Sequence, residues 1–499
     1  MSEQPSNLQI LLRRAIKGEE YGAFTDGYNL RLVFEGGGTA PGGAGAALGL
    51  QDGIHYAVEL TKNGGDREKA DASLKEYQAK CFKTGQDQCG VNVFDHVDGA
   101  LGSSAGVWTM SFLRAGQCHK GVTIFHKYLT DPKFMEHNRF IKYAFVSVAN
   151  EIFGSGNSLN SAMDLNYLTD IIKGKCDPAL RLDTEKITKS KTPLSFLALD
   201  VNTKKTVELK GFKNFEEVIE AGLAACLVPG IAGKPDPKKR RLVDAGRFGQ
   251  NNGIGIIPGN ENERFIVFTP RALGAGGGHT RFDKIQDDFL IECASFVAES
   301  FEEGRELVSF ARKQRRIEAI RIAKSHKNDL HTYLGPTPGS LQIPFSCQDA
   351  TALLESERSS YVYARTCLRE AMIKEGLLPV EAANDPILLP LSLSPLCGVQ
   401  ASRARGISAR KPYKRATKKE DFWVKHSLVM SGLPLCGRTR NLIGFSGNTA
   451  ARYSESGSVI ASFIKFRNKR FLQKRSMGAF VRVEPVSAKA AARLKMTTY

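Results

Sequence analysis

The chain has 499 residues, 42% hydrophobic and 24% charged, with ten cysteines and a net charge of +18. That balance excludes global disorder and leaves room for a large α/β domain with additions. No run of 18 apolar residues occurs, and the polar, mixed-charge start Met1–Glu20 lacks the apolar stretch of a secretory leader, so neither a transmembrane span nor a signal peptide is expected.

In chain order, Leu30–Phe34 is a short β-forming run ending at Glu35 and three glycines, which reads as a strand entering a glycine-rich loop. Ala44–Glu59 is the helix expected next. Residues 62–90 are polar and lysine-rich and read as a surface insertion. Val91–Leu101 is a second strand region, followed by Gly102 and a helix over Ala105–Arg114. Pro193–Val201 and Lys205–Leu209 form a strand pair around a turn at Asn202, and Phe215–Leu227 has helical periodicity up to Pro229-Gly230. Arg241–Val243 and Phe265–Phe268 are further strands. Such alternation is the pattern of a layered α/β fold. Beyond it, Lys284–Ser325 and Ala350–Leu377 read as helical, and the proline-rich Pro386–Pro395 as a linker. No internal repeat is evident.

Charge divides the chain sharply. Residues 401–499 hold 22 Lys/Arg against 4 Asp/Glu, which accounts for the whole +18, and residues 1–400 are balanced. This points to a polyanionic partner for the last hundred residues. The cysteines stand singly with no CxxC pair, as in a reducing cytoplasm, and no Cys/His spacing suits a metal.

Three short motifs carry chemistry. Gly102-Ser103-Ser104-Ala105-Gly106 fits G-x-S-x-G between a strand and a helix. The flanking glycines relieve a sharp turn that would expose the Ser104 hydroxyl at a helix N-terminus; Ser103 is the next candidate nucleophile. Glu35-Gly36-Gly37-Gly38 offers backbone N–H groups free of side-chain obstruction, as an oxyanion requires. Asp244-Ala245-Gly246 follows Leu242-Val243 and places a carboxylate at a strand end, where it could serve as base or close an Asx turn.

Together these motifs resemble the patatin-like phospholipase family over about residues 29–270. Ala224-Ala225-Cys226-Leu227-Val228-Pro229-Gly230 resembles the small-residue segment before that family's aspartate, and Asn251 or Asn252 the asparagine after it. Thr39-Ala40-Pro41 stand where the family loop usually carries a basic residue and glycine. The resemblance implies a three-layer α/β/α hydrolase domain over 29–283, flanked by an N-terminal segment (1–28), a helical extension (284–385) and a basic C-terminal region (386–499). It implies a phospholipase A-type acyl hydrolase with Ser104 as nucleophile, Asp244 as base and Gly36, Gly37 and Gly38 at the oxyanion hole, needing no metal or other cofactor.

Its substrate would be a phospholipid or other acyl ester. The basic region would meet an anionic membrane surface as a peripheral, cytoplasmic protein; nucleic acid ranks second, since Tyr413, Phe422, Trp423 and Phe466 lie among the basic residues but no named nucleic-acid motif occurs. Two other readings stand beside this one. The order Ser104, Asp244, His279 fits a Ser-His-Asp esterase, and the altered loop with its basic tail fits an inactive binding protein that keeps the fold.

Overall fold

The computed structural model describes residues 4–37, 41–86, 91–135, 163–228, 232–233, 242–245, 260–270, 330–338 and 347–394, with Ser340 and Ile343. All belong to one compact unit. The expected helix over Lys284–Ser325, the basic tail from 401, and His279, Asn251 and Asn252 lie outside them.

Among the described residues, seven strands form one mixed sheet with helices on both sides. The strands are β1 (Asn29–Phe34), β2 (Gly99–Ser103), β3 (Leu194–Asp200), β4 (Lys205–Leu209), β5 (Leu242–Asp244), β6 (Glu263–Phe268) and β7 (His331–Leu334). The order is β4-β3-β2-β1-β6-β7; β1, β2, β3, β6 and β7 run parallel, while β4 and β5 pair antiparallel with β3. β2 and β3 are buried along their whole length, as strands covered on both faces must be. Side chains alternate. Val33, Leu101, Leu197 and Val267 cluster on one face, and Phe34 stacks on Phe268, 4.5 Å between centroids, on the other.

The longer helices are α1 (Asn7–Lys17), α2 (Gly42–Lys62), α3 (Arg67–Thr84), α4 (Gly106–Arg114), α5 (Leu165–Ile172), α6 (Phe215–Cys226) and α7 (Ala350–Lys374). No helix among the described residues is long and apolar enough to cross a membrane. α1 begins with a capping box between Ser6 and Gln9. It carries the buried Arg14, whose guanidinium holds Asp26 (2.7 and 2.8 Å) and Asp98 (2.9 Å) beneath the sheet.

α2 and α7 cross in close contact because α2 is studded with glycine. A Cβ on Gly45 would overlap the Glu357 carbonyl, and one on Gly49 would stand 2.6 Å from that of Tyr361. Close packing brings buried polar groups together. Asp52 accepts from Tyr361 Oη (2.8 Å) and Gln78 Nε2 (2.6 Å) and pairs with His119 Nε2 (3.0 Å), while His119 Nδ1 lies 3.4 Å from Ser392 Oγ.

Two expectations are corrected. Residues 62–90 are not simply a surface insertion: α3 buries Ala70, Leu74, Tyr77, Gln78 and Cys81, at the three-to-four-residue spacing that lays one helical face on a core. Nor is Pro386–Ser394 a free linker. Arg67 and Arg369 hold Asp385, Arg358 Nε donates to the Leu393 carbonyl at 2.7 Å, and Ser392 and Leu393 are buried. Between these anchors Leu388, Leu389 and Leu391 stay exposed. β7, four residues without alternation, was not expected from the sequence.

Candidate active site

The site arises from how three strands meet. β2 and β5 share one edge of β3. β2 ends with Ser103 opposite Leu197, and β5, running the other way, ends with Asp244 opposite Ala198. The two C-terminal ends therefore meet head-on, one strand position apart, about 3.3 Å along β3.

Where β2 stops, the chain turns into α4. Ser104 at the turn has φ +51°, a left-handed conformation that costs a non-glycine residue about 1–3 kcal/mol and recurs at functional sites. The turn is sharp enough that a Cβ on Gly106 would overlap the Phe34 carbonyl oxygen, with Glu35 O at 2.9 Å. The C-terminal end of α6 braces both chemical groups: Ser104 N–H donates to Ala225 O (3.2 Å) in its last turn and Asp244 N–H to Leu227 O (2.8 Å) just beyond it. These residues lie in the small-residue stretch that stands out in the sequence.

Ser104 and Asp244 line the same cavity, of about 80 Å³. Ser103 does not line it; its side chain is wholly buried in β2, which separates the two serines. Gly36 presses on the turn, so that a Cβ there would overlap the Ser104 Cβ and stand 2.8 Å from its Oγ. Gly37 follows in the described loop, and Gly38 lies outside the described residues. Ala105, at the N-terminus of α4, also borders the cavity.

Away from these groups the walls are largely apolar and include Trp108 and Phe112 of α4, Ile124 and Phe125 of a π-turn, Leu168 and Ile172 of α5, and Cys226 of α6. Burial first, and then the Asp244 charge, raises the Cys226 thiol well above its ordinary value, so it stays protonated and unreactive at neutral pH. The π-turn Ile124–Tyr128 is held from behind, where His126 Nδ1 meets Glu357 Oε2 at 2.5 Å. Burial raises the Glu357 carboxyl, and His126 only partly offsets it.

The sequence singled out Ser104, Asp244, Gly36 and Gly37, which the fold brings together, and of the wall only Cys226 and Val228, within the small-residue stretch. A further signal was the four-residue spacing of Trp108 and Phe112, which sets both side chains on one face of the helix that follows Ser104. A serine–histidine–aspartate chain of contacts does exist, but at Ser392, His119 and Asp52, all buried and none lining the cavity. It ties helices together and does not face the site. No protein-family model matches the chain, and no curated protein matches it.

Proposed function

We propose that the chain is a serine acyl hydrolase of the patatin-like type, with a three-layer α/β/α domain, acting on fatty acyl esters of phospholipids through Ser104 and Asp244. The head-on meeting of β2 and β5 carries the reading. It sets a serine at positive φ beside a carboxylate, both facing an apolar cavity.

Ser104 Oγ attacks the ester carbonyl carbon and its proton passes to the Asp244 carboxylate. The N–H groups of the Gly36–Gly38 loop and of Ala105 stabilise the tetrahedral oxyanion. As the intermediate collapses, Asp244 returns the proton to the leaving alcohol, and the acyl group stays on Ser104. Water then attacks the acyl-enzyme, giving a proton to Asp244, and collapse restores Ser104 and releases the fatty acid. The apolar walls suit an acyl chain, whose burial contributes about 0.8 kcal/mol per methylene.

The enzyme would act at an anionic membrane surface on the cytoplasmic side, drawn there by the basic residues 401–499. The exposed Leu388, Leu389 and Leu391 lie on the anchored segment leading into them. The deciding experiment incubates the purified protein with mixed phospholipid vesicles and identifies the products by mass spectrometry. Free fatty acid and lysophospholipid from wild type, and none from Ser104→Ala, is the expected result; intact lipid with wild type would sink the reading.

A further inference from the structure

The walls of the cavity hold a second piece of information. Trp108 and Phe112, four residues apart, lie along one side of α4, Ser104 sits in the turn just before the helix, and all three line the cavity. At 1.5 Å per residue, Phe112 stands about 6 Å beyond Trp108 along the helix, farther from the turn that carries Ser104. An acyl chain bound with its carbonyl at Ser104 would run along this stripe and meet the indole first.

The indole is locked in place by α6. A Cβ on Gly222 would overlap Trp108 Cη2 and stand 2.7 Å from Cζ2, so the six-membered ring rests directly on the helix backbone. Four residues on, on the same face of α6, Cys226 places its thiol beside the indole and also lines the cavity. Phe112 is seated similarly: a Cβ on Gly121 would stand 2.6 Å from its Cβ and Cγ. Neither ring has room to withdraw from the cavity, and any side chain at Gly222 drives the indole inward.

We propose that Trp108, seated in the notch at Gly222, is the chain-length gauge of this cavity: it determines how long an acyl chain can lie between Ser104 and Phe112. The inference rests on the reading of the cavity as an acyl site, but it needs no hydrolysis to be tested. A pocket discriminates a single methylene by about tenfold or more when its wall cannot yield.

The test measures binding of saturated fatty acids from six to eighteen carbons to the full-length protein, by displacement of a fluorescent fatty acid, with ester hydrolysis followed in parallel. Gly222→Ala should shift the preferred length shorter and weaken binding of the longest bound acid about tenfold or more. Trp108→Phe should shift it longer. The double variant Gly222→Ala/Trp108→Phe, in which the smaller ring makes room for the added methyl, should recover long-chain binding. That recovery also separates a displaced indole from a misfolded α6. Identical length profiles in wild type, Trp108→Phe and the double variant would overturn the gauge, as would the absence of fatty acid binding. Length profiles that shift as expected in a protein that cleaves no ester would uphold the gauge and overturn the hydrolase reading. Ester cleavage with a profile indifferent to these variants would do the reverse.

Discussion

Ser103 and Asp244 face consecutive residues of one strand, Leu197 and Ala198 of β3, although 141 positions separate them in the chain. The serine that follows Ser103 is thereby delivered to the aspartate by backbone pairing alone. Side chains in the pocket need only fill space around them.

Ser104 spends conformational energy on its position. Ser104→Ala should abolish ester hydrolysis, by at least about 10³-fold, and abolish labelling by a fluorophosphonate, while thermal unfolding stays close to wild type. Ser104→Gly should be equally inactive yet keep or gain stability, by up to about 1 kcal/mol, because glycine adopts φ +51° without the Cβ clash. Undiminished labelling of both variants would place the nucleophile elsewhere.

Asp244→Asn keeps the shape of the side chain but cannot take a proton from Ser104. Activity should fall about 10²–10⁴-fold, with the midpoint of thermal unfolding little changed. Activity equal to wild type in steady-state assays would remove Asp244 from the mechanism.

A methyl at Gly36 has no place to go except into Ser104. Gly36→Ala should lower kcat by about 10²-fold or more, since the nucleophile and the oxyanion donors shift relative to each other. The effect belongs mainly in kcat, and a pure rise in KM would argue against it.

The Asp52 cluster predicts a pH effect on stability. Burial alone raises the Asp52 carboxyl, but the His119 ring, Arg365 and the Tyr361 hydroxyl outweigh it and hold the group below its ordinary value. A carboxyl depressed on folding stabilises the native state above the unfolded aspartate range, near pH ~4, and that contribution is lost as the pH falls through the folded value. Asp52→Asn should therefore cost about 3–5 kcal/mol at neutral pH. In chemical denaturation the gap from wild type should narrow as the pH drops below 4. A gap constant from pH 7 to pH 3 would contradict this account.

Replacement of Arg403, Arg405, Lys411 and Lys414 by glutamine in the full-length protein tests the membrane surface. At about 1 kcal/mol per basic residue near an anionic leaflet, sedimentation with phosphatidylserine vesicles should weaken at least about tenfold, and high salt should mimic the change in wild type. Association indifferent to both salt and lipid charge would exclude the proposal, and tight RNA binding by wild type that the four substitutions weaken would favour a nucleic acid partner.

The parts of the site that were legible in the sequence are those where the backbone itself is constrained. GSSAG and EGGG are visible because no residue but glycine tolerates the approach of Gly36 to Ser104 or of Gly106 to Phe34. β1, β3 and β4 were legible from their β-branched and apolar runs. What escaped depends on contacts distant in sequence. The short strand β5 was read one residue early, at Arg241–Val243, but its antiparallel pairing with β3, which sets Asp244 against the end of β2, could not be read. The role of Trp108 depends on a glycine 114 residues later. Leu74, Tyr77 and Cys81 did carry a helical stripe, but it is obscured by the lysines and glutamates of the exposed face of α3.

The close crossing of α2 and α7 has a consequence for how the protein is made. α2 is complete at Lys62, but the helix that covers its glycine face ends at Lys374, and β1 lacks its neighbour β6 until residue 268. At about 5–20 residues per second, a ribosome exposes the bare helix face for roughly 15–60 seconds and the open sheet edge for roughly 12–47 seconds before their partners emerge. A nascent chain in that interval displays a central strand with one edge open, the kind of surface that holding chaperones protect. A product truncated before Lys374 has no means of closing it, so nonsense mutations upstream of Lys374 should yield aggregated or degraded protein and no shorter folded domain.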